Sequence, residues 1–130
     1  MKQNKKNKIL IVEDEADLRN AYSEALSSKE CEVITAANGQ EGIELARKNA
    51  PDLILLDILM PVMDGLAMLK KLRQGDEHLK KVPVILLTNL SANSEDVIKK
   101  VAETEPVYYI VKTSFSLKQI VDKVKEFLPS

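Results

Sequence analysis

Glu13, Asp14 and Asp57 carry carboxylates, Thr88 a hydroxyl and Lys112 an ammonium, and they follow directly on short aliphatic runs. The runs are Ile9-Leu10-Ile11-Val12, Leu53-Ile54-Leu55-Leu56, Val84-Ile85-Leu86-Leu87 and Val107-Tyr108-Tyr109-Ile110-Val111. Two carboxylates about 4 Å apart repel by roughly 4 kcal/mol at an effective dielectric of 20. Three that converge therefore either share protons or recruit a cation. Oxygen donors without His or Cys favour a hard ion such as Mg2+, which keeps several waters and engages phosphate oxygens. Lys112 can hold the negative oxygens of a phosphoryl group, and Thr88 adds a neutral donor. Acids, Mg2+, Lys and Thr together suit phosphoryl transfer to a carboxylate.

The aliphatic runs are what must bring these groups together. Continuous apolar runs separated by helical patterns read as parallel strands buried on both faces. Strands are expected at 8–12, 32–36, 53–56, 82–87 and 107–111, with Glu32 and Thr35 marking the second as an edge. Helices are expected at 16–28, after Asn38, before Gly75, at 94–103 and from Ser116 onward. Asn38 and Glu41 have the spacing of a reciprocal cap, Glu41 reaching back to the Asn38 amide. His78, among Asp76, Glu77 and Lys80, reads as a solvated loop residue. Five strands alternating with five helices predict a doubly wound, three-layer α/β/α sandwich, flavodoxin-like (βα)5, with strand order 2-1-3-4-5. That order puts the ligand crevice between strands one and three, where Glu13, Asp14 and Asp57 end their runs.

Composition narrows the function classes. The 130 residues fit one domain, expected at 8–130 behind a flexible basic tail at 1–7. A net charge of −1 gives no reason to expect nucleic acid or an anionic membrane as partner. No apolar stretch approaches the ~20 residues of a membrane span. The run behind the basic start is too short for an export signal, so a cytoplasmic location is expected. Cys31 is alone and reads as a core residue. Neither G-x-x-x-x-G-K-[ST] nor G-x-G-x-x-G occurs, and Asp57-Ile58-Leu59 lacks the second acid an aspartyl phosphatase would need.

The sequence resembles the receiver domain of two-component response regulators over essentially its whole length, 8–128. The resemblance lies in Ile11-Val12-Glu13-Asp14-Glu15, in Leu55-Leu56-Asp57-Ile58-Leu59-Met60-Pro61-Val62-Met63-Asp64-Gly65, in Leu87-Thr88 and in Tyr109-Ile110-Val111-Lys112. It implies that Asp57 is the phosphoacceptor, taking its group from a phosphohistidine on a sensor kinase or phosphotransfer protein. It implies Mg2+ on Asp14, Asp57 and the backbone carbonyl of Leu59, with Glu13 acting through water, and Lys112 on the phosphoryl group. It also implies a switch in which Thr88 moves toward the phosphoryl oxygens and the Tyr109 ring turns inward. The altered surface would be the face of the fourth helix (94–103), the fifth strand and the last helix, offered to a downstream protein or a second copy. On this reading the protein is a signalling switch that assists its own phosphorylation and dephosphorylation, not an enzyme acting on metabolites. A phosphorylation-independent pseudo-receiver and a small phosphatase are the rival readings.

Four positions stand out against the family pattern. Thr113 follows Lys112 where Pro, joined through a cis bond, is usual; a cis bond before Thr costs about 2.5–4 kcal/mol, so a trans or strained loop is expected there. Asn89 is bulkier than the small residue usual after Thr88. Leu59 and Leu90 stand where similar proteins tune water attack on the aspartyl phosphate. Neither side chain can orient a water, so a long-lived phosphorylated state is expected. A stand-alone regulator and one domain of a longer protein both fit the sequence.

Overall fold

A computed structural model describes residues 6–57, 65–88, 108–111 and 116–128. Five parallel strands form one sheet: β1 (Asn7–Val12), β2 (Cys31–Ala36), β3 (Leu53–Asp57), β4 (Val84–Thr88) and β5 (Tyr108–Val111). Their order is β2-β1-β3-β4-β5, the flavodoxin-like order expected from the alternation of elements. Between them lie α1 (Ala16–Leu26), α2 (Gly39–Asn49), α3 (Gly65–Arg73) and α4 (Glu77–Lys81), and α5 (Leu117–Glu126) follows β5. The helix expected at 94–103 lies outside the described residues.

The sheet divides the interior into two cores. Leu10, Val12, Ile54, Leu56, Val84 and Leu86 point to one face, where α2 and α3 supply Ile43, Ala46, Met68, Leu69 and Leu72. Ile9, Ile11, Leu53, Leu55, Ile85 and Leu87 point to the other, beneath Tyr22 and Leu26 of α1 and Ile120, Val121 and Val124 of α5. Successive strand residues face opposite ways, so covering both faces requires residues 9–12 of β1 and 53–56 of β3 to be apolar throughout. Cys31 is buried at the start of β2, as expected of a core residue.

Local chemistry sets the element ends. Ser116 and Gln119 form a reciprocal cap on α5: the Ser116 oxygen accepts from the Gln119 amide at 3.1 Å, and Gln119 Oε1 accepts from the Ser116 amide at 2.8 Å. Asn38 caps α2 through the Glu41 amide at 2.9 Å. The Glu41 carboxylate, however, reaches past Asn38 and accepts from the Ala37 amide at 2.8 Å, one residue earlier than a reciprocal cap requires. Helix α1 ends at Leu26 rather than Ser28, because Ser27 is already extended with ψ 131°. Strand β4 starts at Val84 rather than Val82; Pro83 has no N–H to give, although its carbonyl accepts from Ile54 at 3.0 Å. Strand β1 starts one residue earlier than expected, with Asn7 paired to Cys31.

His78 is not a loop residue. It belongs to α4, a single turn capped by Asp76, whose side chain accepts from the Leu79 amide at 2.9 Å. Leu79 anchors that turn in the core. The His78 Nε2 atom lies 2.6 Å from the Pro51 carbonyl oxygen, and since a carbonyl only accepts, Nε2 carries the hydrogen.

Candidate functional site

The acids begin where the β1 ladder ends. Val12 pairs with Leu56, so Glu13 and Asp57 occupy the next positions of neighbouring strands. The Glu13 amide still donates to the Ala36 carbonyl at 3.0 Å, which holds this residue in the sheet before the chain turns away. Glu13 is fully buried and Asp57 is 4% exposed, whereas Asp14 is open to solvent. Each offers one carboxylate oxygen, and these three oxygens lie within 4.8 Å of one another. The sheet thus gathers the three acids singled out from the sequence.

The turn that carries two of them is held by α1. The Glu15 amide donates to Glu13 Oε2 at 3.1 Å, which orients the buried carboxylate from within its own loop. Arg19, one turn into α1, donates from a single guanidinium nitrogen to the Glu13 carbonyl at 2.9 Å and the Asp14 carbonyl at 3.4 Å. Sequence reasoning missed Arg19. The available signal was an arginine one helical turn beyond the start of α1, on a helix that follows two acids.

The remaining groups are placed only in part. Asp57 pairs with Leu87 in the β3–β4 ladder, so Thr88 lies one position beyond, at the end of β4 and opposite Val111 of β5. Tyr109 is opposite Leu86. Lys112 follows Val111 in the chain; it and Leu59, Asn89, Leu90 and Thr113 lie outside the described residues.

The donor set suits a hard divalent ion. It is all carboxylate oxygen, and the softer ligand types sit elsewhere: Cys31 starts β2, and His78 contacts Pro51 ahead of β3, both at the opposite edge of the sheet. Ionised carboxylates this close repel, and a cation between them would offset that repulsion. One exposed acid, Asp14, keeps the cluster open to water and to an incoming anion.

A parallel sheet of this order, with an acid cluster at its carboxyl edge and helices on both faces, defines the class of signal-receiving domains of two-component systems. The chain belongs to the response regulator receiver domain family, whose pattern matches residues 9–125. It is 34% identical over 122 residues to sporulation initiation phosphotransferase F of Bacillus subtilis, covering 94% of each chain. It is 36% identical over 126 residues to the probable transcriptional regulator ycf27 of Porphyra purpurea, covering 97% of this chain and spanning about half, 49%, of that one. Among solved structures, the chemotaxis protein CheY4 of Vibrio cholerae superposes with a TM-score of 0.84 at 28% identity, covering 95% of this chain and 100% of the other. The chain is accordingly a receiver domain of two-component phosphorelay signalling. Among the described residues no helix is long and apolar enough to cross a membrane.

Proposed function

We propose that Asp57 accepts a phosphoryl group from a phosphohistidine on a sensor histidine kinase or phosphotransfer protein, in the cytoplasm. An Asp57 carboxylate oxygen forms the new P–O bond as the P–N bond breaks. The electron pair stays on the imidazole nitrogen, which takes up a proton. Asp14, Asp57 and the Leu59 carbonyl would hold Mg2+, with Glu13 acting through water. Bound there, the ion supplies positive charge against the transferring oxygens. Lys112 and Thr88 contribute the remaining donors to those oxygens. The observation that carries this reading is the gathering of three carboxylate oxygens within 4.8 Å at the ends of two central strands, two of the acids being buried.

Phosphorylation adds about two negative charges and three acceptor oxygens at the end of β3. It thereby favours one of two pre-existing arrangements, with Thr88 drawn to the phosphoryl group and the Tyr109 ring turned inward. The output is the surface formed by residues 94–103, β5 and α5, which binds a downstream protein or a second copy of the chain.

Incubation with acetyl phosphate and Mg2+, followed by intact-mass spectrometry, tests the reading. One phosphoryl group per chain, absent from Asp57→Asn and without Mg2+, is the expected result. Multiple turnover with no accumulation of the labelled chain would instead indicate a phosphatase. No labelling, together with no transfer from a histidine kinase, would leave only a pseudo-receiver.

A further inference from the structure

We infer that Arg19 is a positioning residue for the acidic pair, fixing the backbone of Glu13 and Asp14 so that their carboxylates meet Asp57. This rests on the metal-binding reading of that cluster. The segment between β1 and α1 is only three residues long, and it must leave the sheet while turning two carboxylates toward a neighbouring strand. The usual restraint on such a turn is missing, since the N-cap residue Glu15 makes no side-chain cap hydrogen bond. Arg19 supplies a substitute. One guanidinium nitrogen spans the Glu13 and Asp14 carbonyls, while the Arg19 amide donates to the Glu15 carbonyl at 2.9 Å. Main-chain carbonyls of two consecutive residues are thus tied to one side chain of α1, and that of the third to the backbone of the same residue.

What Arg19 leaves alone matters equally. Its acceptors are carbonyl oxygens, and among the described residues it forms no ion pair with a carboxylate. The carboxylate oxygens of Glu13 and Asp14 are therefore not consumed by the guanidinium. The two effects of this residue have opposite signs. As a nearby positive charge, Arg19 opposes cation binding. As a fixed brace for ligand-bearing backbone, it favours binding, and outer groups that orient metal ligands typically change affinity by about 10–100-fold. A short, multiply held loop around buried acids points to the brace as the larger effect.

Titration of the full chain with Mg2+ alone, by calorimetry at fixed pH and ionic strength, separates these effects. Arg19→Ala is expected to weaken binding about tenfold, and Arg19→Lys, which keeps one donor, to recover part of the loss. Tighter binding in Arg19→Ala, or a change within about twofold, would overturn the inference and reduce Arg19 to a through-space charge. Amide hydrogen exchange without metal supplies an independent readout: Asp14 and Glu15 should exchange faster in Arg19→Ala while the core strands keep their protection. Unchanged exchange at those two amides would likewise count against it. Should the Ala variant fail to fold, Arg19→Lys carries both measurements. If the parent chain takes up no Mg2+, the proposed function fails, and the exchange experiment still decides the role of Arg19.

Discussion

Gly42 of α2 sits against Met68 of α3 so tightly that a methyl group added at Gly42 would lie 2.9 Å from the Met68 sulfur. The same methyl would stand 3.0 Å from a Val12 methyl group, one residue before the acid turn. The glycine here sets the distance between two helices and the central strand. Gly42→Ala should destabilise the protein by about 1–3 kcal/mol, the usual cost of overpacking. Urea denaturation would measure it, and shortening Met68 in the same chain should return part of the loss, because the flexible thioether is one of the two obstacles.

Ala50 closes α2 in the left-handed region, with φ 47°, and is the single non-glycine residue with positive φ among the described residues. An L-residue with a Cβ is strained there by roughly 1–2 kcal/mol, while glycine adds about 0.4–1 kcal/mol of unfolded-state entropy. Ala50→Gly should therefore raise stability by about 0.5–1 kcal/mol, seen as a higher thermal midpoint with no change in Mg2+ binding.

Arg73 closes α4 from the neighbouring helix. Its guanidinium donates to the carbonyls of Leu79 at 2.9 Å, Lys80 at 3.2 Å and Val82 at 2.9 Å. Arg73→Ala would strip these carbonyls of a charged donor at a cost on the order of 2 kcal/mol. Loss of amide protection in the α4 turn, with Leu79 loosened before the sheet, is the expected signature by hydrogen exchange.

At the site itself, Asp14→Asn should weaken Mg2+ binding more than about tenfold and slow labelling by acetyl phosphate, without lowering the thermal midpoint. The acid is exposed, so removing its charge relieves repulsion against Glu13 and Asp57 and leaves no buried group unpaired. Calorimetry and intact-mass kinetics on one preparation would check both halves.

Leu59 gives a prediction about lifetime. Replacing it with Asn would place an amide able to orient water at a position expected to tune attack on the phosphorylated aspartate. Faster loss of phosphate in Leu59→Asn, followed by mass spectrometry after removal of the donor, is the expected outcome. An unchanged rate would remove the argument for a long-lived state.

The strands were legible because continuous aliphatic stretches such as Leu53-Ile54-Leu55-Leu56 have few folded uses other than burial on both faces. The gathering of Glu13, Asp14 and Asp57 followed from strand order alone, since parallel strands deliver their carboxyl ends to one edge. Features made by the main chain were harder to read. Arg19 and Arg73 act on carbonyl oxygens, and no spacing of side chains announces a carbonyl. The α4 turn is only five residues long, too short for hydrophobic periodicity to announce it. The Asn38–Glu41 spacing fits a reciprocal cap, yet the Glu41 carboxylate accepts from the Ala37 amide instead.

The ladders joining β1, β3 and β4 are made of main-chain atoms, and the acids project only where those ladders stop. Durability and reactivity are therefore assigned to different parts of the same polymer. Exchanging the side chains at the rim can alter the chemistry offered there while the main-chain ladders beneath stay intact.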